Sequence, residues 1–149
     1  MSKWIVYFAL LVFYGCSPSP ETPEGLLRMY VNDVATKKVG KDYYLKYTAG
    51  ALRESAEAAE EEALSQRNFL DKVSKVKVDV LNKNCQEKSC VLTYIVSYKT
   101  IEKDKEKFST ETKKLAEFVK EEGDWKISNV TNLKTHHESL EAINALEEN

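Results

Sequence analysis

The chain has 149 residues, of which 22 are basic and 24 acidic, for a net charge of −2. Charges of both signs are interleaved, so there is no basic stripe to neutralise phosphates, which argues against nucleic acid as a partner. The length suits one folded domain with a single hydrophobic core.

The N-terminal segment predicts export. Lys3 precedes an unbroken apolar run over residues 4–14, and Gly15 and Cys16 follow directly. This run is about half the length of a transmembrane helix, so we interpret residues 1–15 as a signal peptide rather than a membrane span. The prolines of residues 16–23 favour an extended tether after it.

This segment resembles the signals of bacterial lipoproteins, in which Gly or Ala precedes a cysteine that is diacylated and becomes the new N-terminus. Gly15 and Cys16 match that pattern. The resemblance implies that acylated Cys16 attaches the protein to a membrane of the bacterial envelope. Ser17 is similar to the residue found in lipoproteins released to the outer membrane. An uncleaved signal anchor and a soluble secreted form are the alternatives.

Helices are predicted first along the folded part of the chain. Thr22-Pro23-Glu24 is typical of a helix start, because Thr caps free amides, Pro fits the first turn and Glu suits the positive end of the helix dipole. Apolar residues then recur at helical spacing. A second helix is predicted from Asp42 to beyond Leu52, and a third over residues 56–70, where good helix formers dominate.

After Asp71 the hydrophobic period changes to two, which predicts strands. Valines alternate with charged residues over 75–80, and further strands are predicted over residues 91–101, 108–120 and 125–131, separated by turns. A capping box beginning at Thr135 predicts a short C-terminal helix within residues 135–149.

Cys85 and Cys90 lie on either side of a polar turn. In an oxidising compartment this spacing predicts a disulfide that clamps a hairpin. No His or further Cys lies near them to complete a tetrahedral metal site. His136 and His137 are adjacent and point in different directions in either a helix or a strand, so we predict no metal or other cofactor.

Two registers are open for the first hairpin. If Cys85 faces Cys90 without interruption, Val80 pairs with Ile95. A one-residue bulge would instead bring Tyr94 and Tyr98 beside the valines. The sequence pattern is compatible with both registers.

Helices followed by an antiparallel meander predict an α+β fold with the helices on one face of a curved four-stranded sheet. The element order and the ending Gly123-Asp124-Trp125-Lys126-Ile127 resemble the nuclear transport factor two-like lipoproteins of bacterial envelopes. The resemblance implies a cone over residues 24–134 with a pocket at its open end. Such folds host isomerases and dehydratases as well as non-catalytic binding modules.

Few residues carry recognisable chemistry. A pocket enzyme would need a carboxylate or His base and a group that stabilises an oxyanion. The residues to test for those roles are Asp33, Asp79, Tyr44, Tyr94 and Tyr98. None belongs to a catalytic motif, so we expect a non-catalytic, lipid-anchored binding or scaffold domain rather than an isomerase or dehydratase acting on a small hydrophobic molecule. Its partner would be an envelope protein or a small hydrophobic ligand. The predicted pocket or partner face comprises Tyr44, Tyr94, Ile95, Val96, Tyr98 and Trp125.

Overall fold

The computed structural model describes residues 19–66 and 72–140. Within these residues the helices are α1 (Pro23–Thr36), α2 (Lys41–Tyr47), α3 (Gly50–Ala58) and α4 (Glu61–Gln66). The strands are β1 (Val73–Cys85), β2 (Ser89–Glu102), β3 (Lys105–Glu121) and β4 (Asp124–Ser139). They form one antiparallel sheet in the order β1-β2-β3-β4. The predicted α+β class with a four-stranded antiparallel sheet is therefore confirmed.

The first helix begins where its capping signal predicts. The Thr22 hydroxyl accepts a hydrogen bond from the backbone N–H of Gly25 at 3.1 Å, and Pro23 occupies the first helical position. This bond satisfies one of the amides that a helix start leaves without a partner. The apolar face of α1 then turns towards the sheet, where Leu26 and Leu27 are buried.

Tertiary contacts interrupt the second and third predicted helices. After α2 the chain meets β4, where Thr48 forms a parallel bridge to Ile127 and the Ala49 N–H donates to the Ile127 carbonyl at 2.9 Å. Gly50 then starts α3 with a φ of +51°, a left-handed conformation that glycine adopts at little cost. The third predicted helix is broken between α3 and α4, and its last residues, 67–70, lie outside the described residues.

Two tight turns connect the last three strands. Lys103 and Asp104 join β2 to β3, and Glu122 and Gly123 join β3 to β4. All four residues have positive φ, between 50° and 95°. This is the geometry of type I′ turns, whose twist matches that of the flanking strands. The turn between the strands predicted over residues 91–101 and 108–120 is therefore shorter than expected, because strand pairing continues almost to its tip.

The first hairpin contains the bulge that the sequence left open. Cys85 lies opposite Cys90, but the register shifts between Val80 and Asn82. Beyond the shift Val80 pairs with Tyr94 instead of Ile95. Because side chains alternate between the two faces of a strand, this shift of one residue turns Tyr94 to the side of the valines. We call this side the inner face of the sheet, since its β2 residues are the buried Cys90, Leu92, Tyr94 and Val96.

The last strand, β4, is longer than predicted. It includes residues 135–139, where a C-terminal helix was predicted to begin, so that part of the helix prediction is wrong. Thr135 pairs with Thr112, and the ladder continues to Ser139 opposite Phe108. The reason is non-local: β3 is 17 residues long, and this extension of β4 satisfies backbone groups along its first half. Residues 141–149, where the rest of that helix was predicted, lie outside the described residues.

The core has two parts. The larger lies between α1 and the inner face of the sheet, and a smaller one, built around Val39, Tyr44, Ala56 and Leu64, lies among the helices. In the described part of the chain, no helix combines the length and the apolar character needed to cross a bilayer.

Candidate ligand-binding cavity

A cavity of about 280 Å³ lies between α1 and the inner face of the sheet. Its walls come from α1, α3 and all four strands, and they are mostly aliphatic. The lining residues are Leu27, Tyr30, Val31, Val34, Ala35, Leu52, Val73, Val76, Tyr94, Val96, Tyr98, Thr112, Lys114, Ile127 and Val130. An apolar cavity with a few polar groups is the usual form of a small-molecule site.

The pairing of β2 with β3 determines which polar side chains line the cavity. Tyr94 of β2 lies directly opposite Lys114 of β3, and Val96 lies opposite Thr112. Side chains of directly paired residues are neighbours on one face of a sheet, so these four side chains form one patch of the inner face. Tyr94 is 2% exposed, and burial raises the pKa of its hydroxyl above its usual value. The hydroxyl of Tyr94 therefore stays protonated at neutral pH.

Lys114 is the cationic residue among the described residues of this lining, and the sequence pattern alone did not single it out. Its side chain is half-buried, and desolvation lowers the pKa of its ammonium group. The alternation of side chains along β3 could have identified it. Positions 118, 116, 114 and 112 lie on one face of a strand, so Lys114 and Thr112 share the face of the apolar Phe118 and Ala116.

Three of the residues predicted for a pocket or partner face line the cavity, namely Tyr94, Val96 and Tyr98. Ile95 lies on the opposite face of the sheet, where its neighbours include Glu111 and Lys113. The bulge in β1 is consistent with this division, because it pairs Val78 with Val96 and Val80 with Tyr94, so the apolar side chains of both strands share the inner face.

The other two residues of that predicted face lie elsewhere. Tyr44 is buried in the smaller core, where its ring packs edge-on against Tyr30 and Tyr43. Trp125 lies next to the turn between β3 and β4, with the Lys120 ammonium 5.7 Å from its ring centre. The structure therefore does not bring the six predicted residues together into one site.

The predicted acid candidates also lie outside the cavity lining. The carboxylate of Asp33, in α1, accepts a hydrogen bond from the Tyr43 hydroxyl at 3.0 Å and pairs with Lys37 at 2.6 Å. Burial, and then the hydrogen bond to Asp33, raise the pKa of Tyr43. Asp79 pairs with the exposed ammonium of Lys77 at 2.9 Å. An acid does contact a tyrosine hydroxyl in this protein, but in the smaller core rather than in the cavity.

The predicted cysteine pair is present at the end of the first hairpin. Cys85 and Cys90 are joined as a disulfide across the turn between β1 and β2. Cys16 lies outside the described residues, so its acylation stays a prediction. Among residues 19–66 and 72–140, no three His, Cys, Asp or Glu side chains are grouped so that they could hold a metal ion.

The fold and the cavity define an α+β domain in which helices cover one face of an antiparallel meander. No protein-family model matches the chain, and no curated protein matches it. Among solved structures, the chain is similar to the solution structure of a SEC-C motif containing protein from Rhodopseudomonas palustris. The two are 16% identical with a TM-score of 0.56, and the match covers 78% of this chain and 82% of that chain. At this identity the likeness concerns the fold alone.

The resemblance to nuclear transport factor two-like lipoproteins is therefore wrong. The structural match is to a SEC-C motif containing protein, and no comparison returned a lipoprotein. Ordinary hairpin geometry explains the Gly123–Ile127 motif on which that resemblance was based. Gly123, with φ of +95°, forms half of a tight turn, and Ile127 is buried on the inner face beyond it. A glycine turn followed by alternating apolar residues arises in any hairpin with one covered face.

Proposed function

We propose that this is a non-catalytic binding protein of the bacterial envelope, attached to the membrane through an acylated Cys16, and that its cavity holds a small hydrophobic molecule. The cavity carries the proposal. Protein interiors are close-packed and keep few voids larger than a water molecule, so an apolar space of about 280 Å³ beside the main core is unusual unless a ligand fills it.

The size of the cavity indicates the size of the ligand. An apolar cavity of about 150 Å³ accommodates benzene, so the space beneath α1 has room for roughly ten non-hydrogen atoms. The cavity is favoured over the outer sheet face as the binding surface, because Ile95 there is surrounded by charged and polar side chains, including Glu111, Lys113 and Lys134.

The lining supports binding rather than catalysis. Among its described residues the titratable side chains are tyrosines and Lys114, whereas an isomerase or dehydratase would need a carboxylate or His base at the bound molecule. Asp33 is committed to Tyr43 and Lys37 in the smaller core. The envelope location is supported by the apolar leader that ends at Cys16 and by the Cys85–Cys90 pair, since disulfides persist in oxidising compartments.

Ligand-induced stabilisation tests the cavity. The full-length protein in phosphatidylcholine vesicles is melted with and without 1-octanol, a neutral molecule of suitable size. A ligand at ten times its Kd adds about 1.4 kcal/mol to the free energy of unfolding, which raises Tm by roughly 4 °C. We expect this increase for the wild type and its loss in Val31→Trp, which fills part of the cavity.

Val91→Trp is the matched control, because the same change is made at an exposed position of β2 on the outer face. It is expected to keep the full increase in Tm. If the wild type shows no increase, or if Val31→Trp keeps it while circular dichroism shows a folded protein, the cavity is not a binding site. The anchor is tested separately: labelled palmitate is expected to be incorporated into the wild type and absent from Cys16→Ser.

A further inference from the structure

Lys114 gives the cavity a chemical preference that its apolar walls alone would lack. The residue sits on the inner face of β3 between Thr112 and Ala116, both of which are buried. Its ammonium group has no hydrogen bond or ion pair with any residue of the described ranges 19–66 and 72–140. A lysine that is partly removed from water without an opposite charge is unfavourable to the folded protein.

We infer that the cavity binds a monocarboxylate with a short apolar tail, whose carboxylate pairs with Lys114 while the tail lies against the aliphatic wall formed by α1. This rests on the proposed function and adds the charge of the ligand to it. Among the described residues of the lining, none has an acidic side chain that could neutralise Lys114. A single ammonium group balances the single negative charge of a carboxylate, whereas a phosphate group carries roughly −1.5 to −2 at neutral pH, which favours the carboxylate.

The surroundings of Lys114 suit a carboxylate head group. Tyr94 lies directly across the strand pair, and its protonated hydroxyl is a hydrogen-bond donor. Thr112, two residues along β3, lines the same wall. Pairing with a carboxylate would also reverse the effect of burial on Lys114, because a nearby negative charge favours the protonated amine. The aliphatic residues Val31, Val34 and Ala35 of α1 line the wall available to the tail.

Octanoate and 1-octanol separate the two proposals, because both have eight carbon atoms in an unbranched chain and differ in the charge of the head group. Apparent affinities are measured by isothermal titration of full-length protein in phosphatidylcholine vesicles. The wild type is expected to bind octanoate roughly tenfold more tightly than 1-octanol, which is the usual effect of a hydrogen bond to a charged group. Lys114→Met, which keeps the length of the side chain and removes its charge, is expected to lose that preference.

Lys113→Met is the control, because Lys113 is exposed on the outer face of the same strand. It is expected to retain the tenfold preference. Binding of 1-octanol to Lys114→Met shows that this variant is folded. If the wild type binds both molecules equally, or if Lys114→Met keeps the preference for octanoate, the inference about charge is wrong while the cavity proposal stands. If the wild type binds neither molecule, both proposals are wrong.

Discussion

The disulfide at the end of the first hairpin provides a quantitative test of what holds the domain together. Cys85 and Cys90 are five positions apart, so the bond closes a loop of six residues counting both cysteines. Closing a loop of this length lowers the entropy of the unfolded chain and adds about 2 kcal/mol to the free energy of unfolding. With a guanidinium m-value of about 4 kcal/mol per molar, reduction should lower the unfolding midpoint by about 0.5 M.

The assay compares guanidinium unfolding of the oxidised protein with that of protein unfolded and refolded in a reductant. The reductant must be present during unfolding, because Cys90 is 1% exposed in the folded domain. The control is the double variant Cys85→Ser/Cys90→Ala. It keeps Cys16, so an effect of the reductant at that position would also appear in the control. Equal midpoints for the oxidised and reduced wild type would refute the reasoning.

Two further predictions concern local interactions. Thr22→Ala removes the side-chain cap of α1 and should lower the free energy of unfolding by about 1 kcal/mol, whereas Thr22→Ser should retain it; chemical denaturation of both variants measures the difference. Glu106 accepts hydrogen bonds from Lys99 and Lys75, which lower the pKa of its carboxyl group to about 2. Because the folded pKa lies below the unfolded value of about 4.3, this stabilisation is complete above that pH and is lost as the pH falls towards 2. Glu106→Gln should therefore reduce Tm at pH 7 and differ less from the wild type near pH 2, and an equal difference at both pH values would contradict this assignment.

The local sequence pattern predicts several of the residues that line the candidate site, but it does not predict the complete set. The alternation in β2 placed Tyr94, Val96 and Tyr98 among the residues of interest, and all three line the cavity. Ile95 was grouped with them because β2 is apolar on both faces, and only the bulge between Val80 and Asn82 sets Tyr94, rather than Ile95, on the face of the β1 valines. Lys114 was overlooked because a lysine is usually exposed, and its place in the lining depends on the pairing of β3 with β2, which sets it opposite the buried Tyr94.

The amino-acid sequence by itself determined the order of helices and then strands as far as residue 131, the start of α1 at Thr22 and the pairing of Cys85 with Cys90. Each depends on chemistry within a few residues: a side chain that caps its own helix, an alternation of period two, or two thiols across one turn. Only the tertiary structure decided the register of β1, the break before Gly50 and the length of β4. In each of these cases the backbone hydrogen bonds or the burial come from a distant part of the chain, and local propensity gives way to those non-local contacts.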